Sequence, residues 1–118
     1  MPETTLARYY RAVDEDRIDD ALAMLDPDVR FTIVLPAGTR RGQGRDAMGD
    51  YLGGRGVSNR AHVVLRQSRD DDVEFLYGAV TEGATTTGRF LSGVRLGGDG
   101  LIASYQVTFE TEHVLVEG

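Results

Sequence analysis

The first half of the chain carries apolar residues at the spacing of amphipathic helices. One stripe at i, i+3, i+4 and i+7 consists of Leu6, Tyr9, Tyr10 and Val13. This stripe predicts a helix that begins near residues 3–5. The same spacing recurs over residues 18–25, where Asp26-Pro27 predicts the helix end, because a residue before proline is pushed out of the helical region. A third helix is expected over residues 45–52, stopped by the glycines of residues 53–56.

Alternating apolar and polar positions predict strands. Residues 29–35 alternate with period two, and a loop with the Arg40–Arg41 pair is expected over residues 36–44. Four further β-type segments cover residues 60–69, 73–82, 86–96 and 101–110. The breaks between those four are too short for parallel crossovers, so consecutive strands should pair antiparallel. The pattern predicts one α+β domain over residues 1–118, with three N-terminal helices packed on a curved, mainly antiparallel sheet.

Side-chain character indicates which face of each strand turns toward the helices. The expected inward sets contain most of the aromatic residues: Val73, Phe75, Tyr77 and Ala79; Phe90, Ser92, Val94 and Leu96; and Tyr105, Val107 and Phe109. The outer face then carries Leu76, Val80 and Leu91 among charged residues. That mixture suggests a homodimer formed through the outer sheet face.

Composition narrows the chemistry. The 118 residues have a net charge of -6, which argues against a broad nucleic-acid surface. Cysteine is absent and all 13 basic residues are arginine, so thiolate, disulfide and lysine Schiff-base chemistry are excluded. The two histidines have no metal-ligand spacing, so we expect no metal and no cofactor. No apolar run is long enough for a membrane span and the N-terminus lacks the basic residues of a signal peptide, so a cytoplasmic location is expected.

Three phrases resemble the nuclear transport factor 2-like superfamily, specifically its SnoaL-like branch. They are ARYYRAVDEDRIDDALAMLDPDVRFTI, RGQGRDAMGDYL and GGDGLIASYQVTF. The resemblance implies a conical α+β barrel with one cavity between the helices and the concave side of the sheet, and it implies dimers. The superfamily hosts isomerases, cyclases, epoxide hydrolases and non-catalytic binders, so it does not fix an activity.

Ketosteroid isomerase has the best-defined chemistry of the superfamily. It uses an Asp base with a Tyr and a protonated Asp as oxyanion donors. By resemblance, its tyrosine falls on Tyr9, its base on Ile33 and its second Asp on Ser92. Ketosteroid isomerase activity is therefore disfavoured, because Ile33 cannot accept a proton. Limonene-type epoxide hydrolysis is disfavoured as well, since no expected inward strand position carries Asp, Glu or Arg.

The expected ligand is a small, largely apolar molecule in that cavity. The predicted lining, taken from helices and inward strand positions together, is Tyr9, Val13, Phe31, Ile33, Met48, Tyr51, Phe75, Tyr77, Phe90, Ser92, Tyr105, Val107 and Phe109. Hydroxyl donors are the candidates for catalysis: Tyr9, Tyr77, Ser92 and Tyr105. Each of the tyrosines could equally be core filler whose hydroxyl meets a backbone carbonyl.

His62 is the one histidine within a predicted regular element. It shares a face with Val64, Arg66 and Ser68, which favours the outside of the sheet, although a slip of one residue would turn it inward. The acidic run from Asp14 to Asp20 is interpreted as a solvated edge. The Arg40–Arg41 pair could meet an anionic ligand near the cavity opening or be simply solvated.

Three hypotheses therefore stay open. The first is an isomerase or cyclase of a secondary metabolite that works by shape and hydroxyl donors. The second is a binder with the same cavity and no turnover, and the third is an interaction domain whose cavity is plain core. A buried carboxylate or histidine touching the cavity would favour the enzyme, and a cavity of roughly 300 Å³ would favour a small-molecule role.

Overall fold

Helices come first in the chain and most of the strands follow, as the pattern predicts. The structure, a computed structural model, describes residues 3–54 and 59–118. The helices are α1 (Thr5–Asp14), α2 (Ile18–Ala23) and α3 (Arg45–Gly54). The strands are β1 (Leu25–Leu35), β2 (Gly38–Gln43), β3 (Arg60–Asp70), β4 (Val73–Glu82), β5 (Thr85–Leu96) and β6 (Ile102–Glu110).

All six strands form one mixed sheet in the order β2-β1-β6-β5-β4-β3. Every neighbouring pair is antiparallel except β1 and β6, which are parallel. Helix α1 packs against β3 and β4, and α3 packs against β1 and β2, so the helices cover one face of the sheet. The α+β class with a mainly antiparallel sheet is confirmed. None of the helices in the described ranges is long and apolar enough to cross a membrane.

The expected loop over residues 36–44 is wrong, because most of it is strand β2. Leu35 pairs with Gly38 across a tight turn, and the ladder continues to the pair of Arg30 and Gln43. This edge strand is largely exposed and has no apolar alternation, so periodicity could not find it. The second helix is also shorter than expected, because Leu25 belongs to β1. The predicted glycine stop of the third helix falls partly on residues 55–58, outside the described residues.

The inward face of β4 is the opposite of the one expected. Leu76 and Val80 are buried in the core, whereas Phe75 is 47% exposed on the outer face. The cause is a β-bulge near Thr87 in the β4–β5 hairpin, which makes Gly78 rather than Tyr77 the partner of Phe90. This one extra residue in β5 reverses which residues of β4 share a face with Phe90. Val73, Phe75, Tyr77 and Ala79 therefore face outward, and the β5 and β6 assignments are confirmed.

A second bulge reverses the expected orientation of His62. The β3–β4 register shifts between Val64 and Arg66, so His62 pairs with the buried Val80 while Arg66 pairs with the outward Tyr77. His62 and Val64 consequently lie on the inner face, and Arg66 and Ser68 on the outer one. The expectation that His62 lies on the outer face is therefore wrong.

Helix α1 is held at its N-terminus by side chains from the sheet. The Thr4 hydroxyl caps the helix by accepting from the Ala7 amide at 3.1 Å. The carboxylate of Glu74, only 1% exposed, accepts from the amides of Leu6 at 2.9 Å and Thr5 at 3.2 Å. A buried carboxylate at the positive end of a helix is electrostatically favourable. These bonds fix the helix that carries Tyr9, Tyr10 and Asp14.

Candidate functional site

A small cavity lies between the helices and the sheet, near the ends of β3 and β6. Its volume is about 20 Å³. That volume exceeds the roughly 10–15 Å³ needed for one water molecule but is too small for an organic ligand. Helices and strands both contribute to its lining: Tyr9, Tyr10, Val13, Ile33, Met48, Tyr51, Leu52, His62, Tyr105, Val107 and Phe109. We call this space the inner cavity.

A larger opening, the outer cleft, adjoins the inner cavity and has a volume of about 400 Å³. Three residues line both spaces, namely Tyr51, His62 and Phe109. The rest of the cleft combines apolar walls with a charged rim: Leu35, Pro36, Val80, Thr87, Gly88 and Thr111, and Arg60, Glu82, Arg89 and Glu110. Its volume lies within the range of about 300–1,000 Å³ that is usual for small-molecule sites.

His62 lies at the junction and is held by Asp14 through two hydrogen bonds. Its backbone amide donates to Asp14 Oδ2 at 2.7 Å, and its Nδ1 lies 2.7 Å from Asp14 Oδ1. The side chains of His62 and Asp14 are only 3% and 16% exposed. A carboxylate only accepts hydrogen bonds, so Nδ1 carries the proton and Nε2 is the unprotonated nitrogen of the neutral ring.

Nε2 is the atom of this pair that can meet a ligand. No residue of the described ranges hydrogen-bonds to it. The His62 side chain borders both the inner cavity and the outer cleft and is 3% exposed. The imidazole is stacked on Tyr10, with ring centroids 4.5 Å apart, and its edge meets Phe90 at 5.1 Å. The contacts with the rings of Tyr10 and Phe90 fix the orientation of the imidazole.

Asp14 is placed against the electrostatic preference of its helix. It is the last residue of α1, at the negative end of the helix dipole. A carboxylate there costs about 0.3–1 kcal/mol when it is exposed. The two bonds from His62 offset this cost, because hydrogen bonds to a charged group are worth about 1.5–3 kcal/mol each. The expectation that Asp14 belongs to a solvated acidic edge is therefore wrong.

Two tyrosine hydroxyls add donors beside the imidazole. The hydroxyls of Tyr10 and Tyr105 lie 2.5 Å apart in the interior. Burial raises the pKa of Tyr10 well above its usual range, although hydrogen bonds with Ser92 and Tyr105 partly oppose the shift. Burial also raises the pKa of Tyr105, together with the nearby hydroxyls of Tyr10 and Tyr9. Both groups stay protonated at neutral pH, and whichever hydroxyl accepts within the pair retains its own proton to donate elsewhere.

The structure brings most of the predicted lining residues to the inner cavity. Eight of them border it: Tyr9, Val13, Ile33, Met48, Tyr51, Tyr105, Val107 and Phe109. Phe31, Phe90 and Ser92 are buried nearby in the core, and the Ser92 hydroxyl is positioned to donate to the Leu76 carbonyl at 3.4 Å. Binding of a ligand by these residues stays a prediction.

Phe75 and Tyr77 do not belong to the site, because the hairpin bulge turns them outward. Tyr77 is buried instead beneath the C-terminal residues, and its hydroxyl accepts from the Leu115 amide at 2.8 Å. Sequence reasoning placed Tyr77 among the hydroxyl donors of the cavity, and the reversed strand removes it from that set.

Sequence reasoning missed Tyr10, Asp14 and Leu52, and it placed His62 outside. One signal could have found Asp14: it lies four residues after Tyr10 and so extends the apolar stripe of α1. No comparable signal marked the inward turn of His62, which depends on the bulge in β3. Of the arginine pair, Arg40 places its guanidinium 5.8 Å from the centre of the Tyr51 ring, and Arg41 is exposed on the outer side of the sheet.

No group of three or more metal-ligating side chains occurs within residues 3–54 and 59–118. What the site does combine is an imidazole with a carboxylate behind it and phenols nearby. These are the elements of general acid–base chemistry on an organic molecule.

The family model of the SnoaL-like domain matches residues 6–105. The chain belongs to the SnoaL-like family. Comparison with curated proteins finds no match. Among solved structures, this SnoaL-like protein is similar to a candidate polyketide cyclase of Sinorhizobium meliloti, with TM-score 0.71, 16% identity and coverage of 91% of this chain and 94% of that one.

Two further structures show the same fold. One is SalBIII, an epoxide hydrolase/cyclase-like enzyme of pyran ring formation in the polyether salinomycin, with TM-score 0.70, 21% identity and coverage of 89% and 87% of the two chains. The other is an NTF2-like protein of unknown function from Cytophaga hutchinsonii, with TM-score 0.69, 18% identity and 93% of both chains covered. At these identities the likeness concerns the fold alone.

Proposed function

We propose that this SnoaL-like protein is a small-molecule enzyme of the isomerase or cyclase type, with His62 as its general base. The observation that carries the proposal is the Asp14–His62 pair at the junction of the inner cavity and the outer cleft. A buried histidine that is held by a carboxylate and borders a cleft of substrate size is the arrangement that general acid–base catalysis requires. The missing Asp base at Ile33 is thus replaced by a base from another strand.

The proposed proton transfers follow from the geometry. His62 Nε2 removes a proton from a carbon or hydroxyl of the ligand, and the Asp14 carboxylate stabilises the imidazolium that forms. Return of the proton from His62 to another carbon completes an isomerisation. Alternatively, the deprotonated group attacks a carbonyl carbon of the same molecule: the new bond closes a ring, the C=O π bond breaks, and the resulting alkoxide takes the proton back from His62.

The sizes of the two spaces support a site in which most of an apolar molecule lies in the outer cleft. The inner cavity is too small for a ligand, so the body of the molecule would lie in the outer cleft against Leu35, Pro36 and Val80. The relatives named as cyclases have the same fold, which is consistent with this chemistry but does not supply its residues.

Proton–deuterium exchange tests the proposal without knowledge of the substrate. A panel of small cyclic ketones is incubated in D2O, and loss of the α-proton signal is followed by NMR with the wild-type protein, His62→Gln and Asp14→Asn. A positioned general base contributes about 10²–10⁴-fold. We therefore expect exchange of at least one ketone to slow by about that factor in His62→Gln.

The control is His113→Gln, which removes the exposed histidine near the C-terminus and should leave the exchange rate unchanged. Equal exchange in the wild-type protein and in His62→Gln across the panel would contradict the base assignment. Ketones that bind without any protein-dependent exchange would support the alternative, a ligand-binding domain without turnover.

We also propose that the outer sheet face forms a homodimer interface. Leu76 and Val80, expected on this face, are buried in the core, and Phe75 lies on the outer face instead. Phe75 is 47% exposed, and Leu91, which lies on the outer face as expected, is 53% exposed. Light scattering on Leu91→Arg should show a monomer where the unmodified chain is a dimer. Ala23→Arg, at an exposed position of helix α2 on the opposite side of the sheet, is the control. An unchanged mass for Leu91→Arg would remove the interface from this face.

A further inference from the structure

The inner cavity and the outer cleft are separate spaces with a common wall. Tyr51, His62 and Phe109 form that wall, because they are the residues that border both. Among the described residues, these three rings lie between the two spaces, so a ligand that moves from the cleft into the inner cavity passes them. The depth that the ligand reaches depends on which of the three rings obstructs it.

Two of the three rings are packed in place by other aromatic residues. Phe109 lies against Phe90, with ring centroids 5.9 Å apart, and against His62 at 6.2 Å. His62 is fixed by Asp14 and by the stack on Tyr10. Moving either ring would disturb the core or the proposed base.

Tyr51 has a different environment. It is half-buried on α3, and the exposed Arg40 of β2 lies over its ring at 5.8 Å. A cation–π contact at an exposed position is worth about 0.5–1 kcal/mol, so it orients the ring without locking it into the core. Tyr51 can therefore be truncated with less loss of packing than its two neighbours.

We infer that Tyr51 determines how deeply a ligand enters, and thereby which substrates reach the base. The inference rests on the proposed function, because it takes His62 as the reacting group. With Tyr51 present, the inner cavity of about 20 Å³ admits no group larger than a water molecule. The accepted substrate then has a compact reacting end, an unbranched carbon that carries the labile proton. Its larger body stays in the outer cleft.

The apolar walls and the charged rim of the outer cleft indicate the chemistry of the rest of the substrate. Leu35, Pro36 and Val80 suit an apolar body, and Arg60, Glu82, Arg89 and Glu110 place both signs of charge at the mouth. A neutral molecule with polar groups at the end remote from the reacting carbon matches this distribution. Molecules branched at the reacting carbon are excluded by the ring of Tyr51.

Methyl-detected NMR with phenol as the probe measures the depth of entry directly. The methyl groups of Ile33 and Val107 border only the inner cavity, whereas those of Leu35 and Val80 border only the outer cleft. In the wild-type protein we expect nuclear Overhauser contacts from phenol to Leu35 and Val80 and none to Ile33 and Val107. In Tyr51→Ala, contacts to Ile33 and Val107 should appear.

Tyr51→Phe is the matched control, because it keeps the ring and should reproduce the wild-type contacts. The amide spectrum checks that Tyr51→Ala is folded, and Tyr51→Val replaces it if it is not. Contacts to Ile33 or Val107 already in the wild-type protein, or contacts confined to the cleft after truncation of Tyr51, would overturn the inference and leave the proposed base intact. Absence of contacts to both methyl sets in all variants would overturn the cleft as a binding site and, with it, the proposed function.

Discussion

The contact between Asp14 and His62 can be given an energy, and that energy can be measured by a double-mutant cycle. Asp14 accepts two hydrogen bonds of 2.7 Å from His62, one from the backbone and one from the ring. Hydrogen bonds to a charged group contribute about 1.5–3 kcal/mol each, so the pair contributes about 3–6 kcal/mol. Asp14→Ala also removes the unfavourable contact between the carboxylate and the helix dipole, which restores about 0.3–1 kcal/mol of stability. Asp14→Ala should therefore lower the free energy of unfolding by about 2–5 kcal/mol.

The ring contact alone is isolated by combining Asp14→Ala with His62→Phe. Phenylalanine keeps a ring to stack on Tyr10 and keeps the backbone amide, so of the two bonds to Asp14 the change removes only the one from the ring. The coupling energy between the two positions should be about 1.5–3 kcal/mol. Urea unfolding followed by circular dichroism measures all four proteins, with Asp14→Asn in place of the alanine variant if that one does not fold.

A coupling energy below about 0.5 kcal/mol, the level at which independent sites add, would refute the reasoning. It would mean that the ring of His62 and the carboxylate of Asp14 do not interact in solution. The stacked orientation of the imidazole on Tyr10 would then have another cause. A large loss of stability in Asp14→Ala without coupling would assign the effect to the backbone bond.

Three further predictions concern the scaffold of the site. Gly78→Ala should destabilise the chain by more than about 1 kcal/mol in urea unfolding, because a Cβ there would collide with the Val63 carbonyl oxygen; unchanged stability would contradict the close approach. Stability should fall as pH rises above the ordinary tyrosine pKa near 10, by up to about 1.4 kcal/mol per pH unit for each of Tyr10 and Tyr105, since their raised pKa values make the unfolded chain lose its protons first. Tyr10→Phe should weaken that dependence, and an identical alkaline profile would argue against burial as the cause. Glu74→Ala should cost about 2–5 kcal/mol and Glu74→Gln less, because glutamine still offers one acceptor to the two amides at the start of α1; equal losses in the two variants would show that the charge, rather than the acceptor, matters.

The helices and most strands were predictable because their signals are local. The stripe from Leu6 to Val13 repeats at the helical period, and α1 occupies the range that it indicates. β2 was not predictable in this way, since an exposed edge strand needs no buried face and Gly38–Gln43 has no alternation. Its ladder depends on the turn after Leu35, which the apolar pattern does not record.

The site was only partly predictable, because two β-bulges decide its composition. A period-two argument assigns faces correctly until one extra residue enters the ladder, after which every assignment reverses. The bulge near Thr87 removes Tyr77 from the interior, and the one between Val64 and Arg66 brings His62 into it. Tyr9 and Tyr105 were predicted correctly, because no bulge interrupts the apolar pattern to which each of them belongs. The proposed base was missed because its orientation depends on a pairing between strands.

The tautomer of His62 tests the central claim most directly. A long-range proton–nitrogen NMR spectrum of the nitrogen-labelled protein near neutral pH distinguishes protonated from unprotonated ring nitrogens, with the exposed His113 as an internal reference. We predict that the neutral ring of His62 carries its proton on Nδ1, toward Asp14, and leaves Nε2 unprotonated. A neutral ring with its proton on Nε2 would contradict it, because that nitrogen could then accept no proton from a substrate.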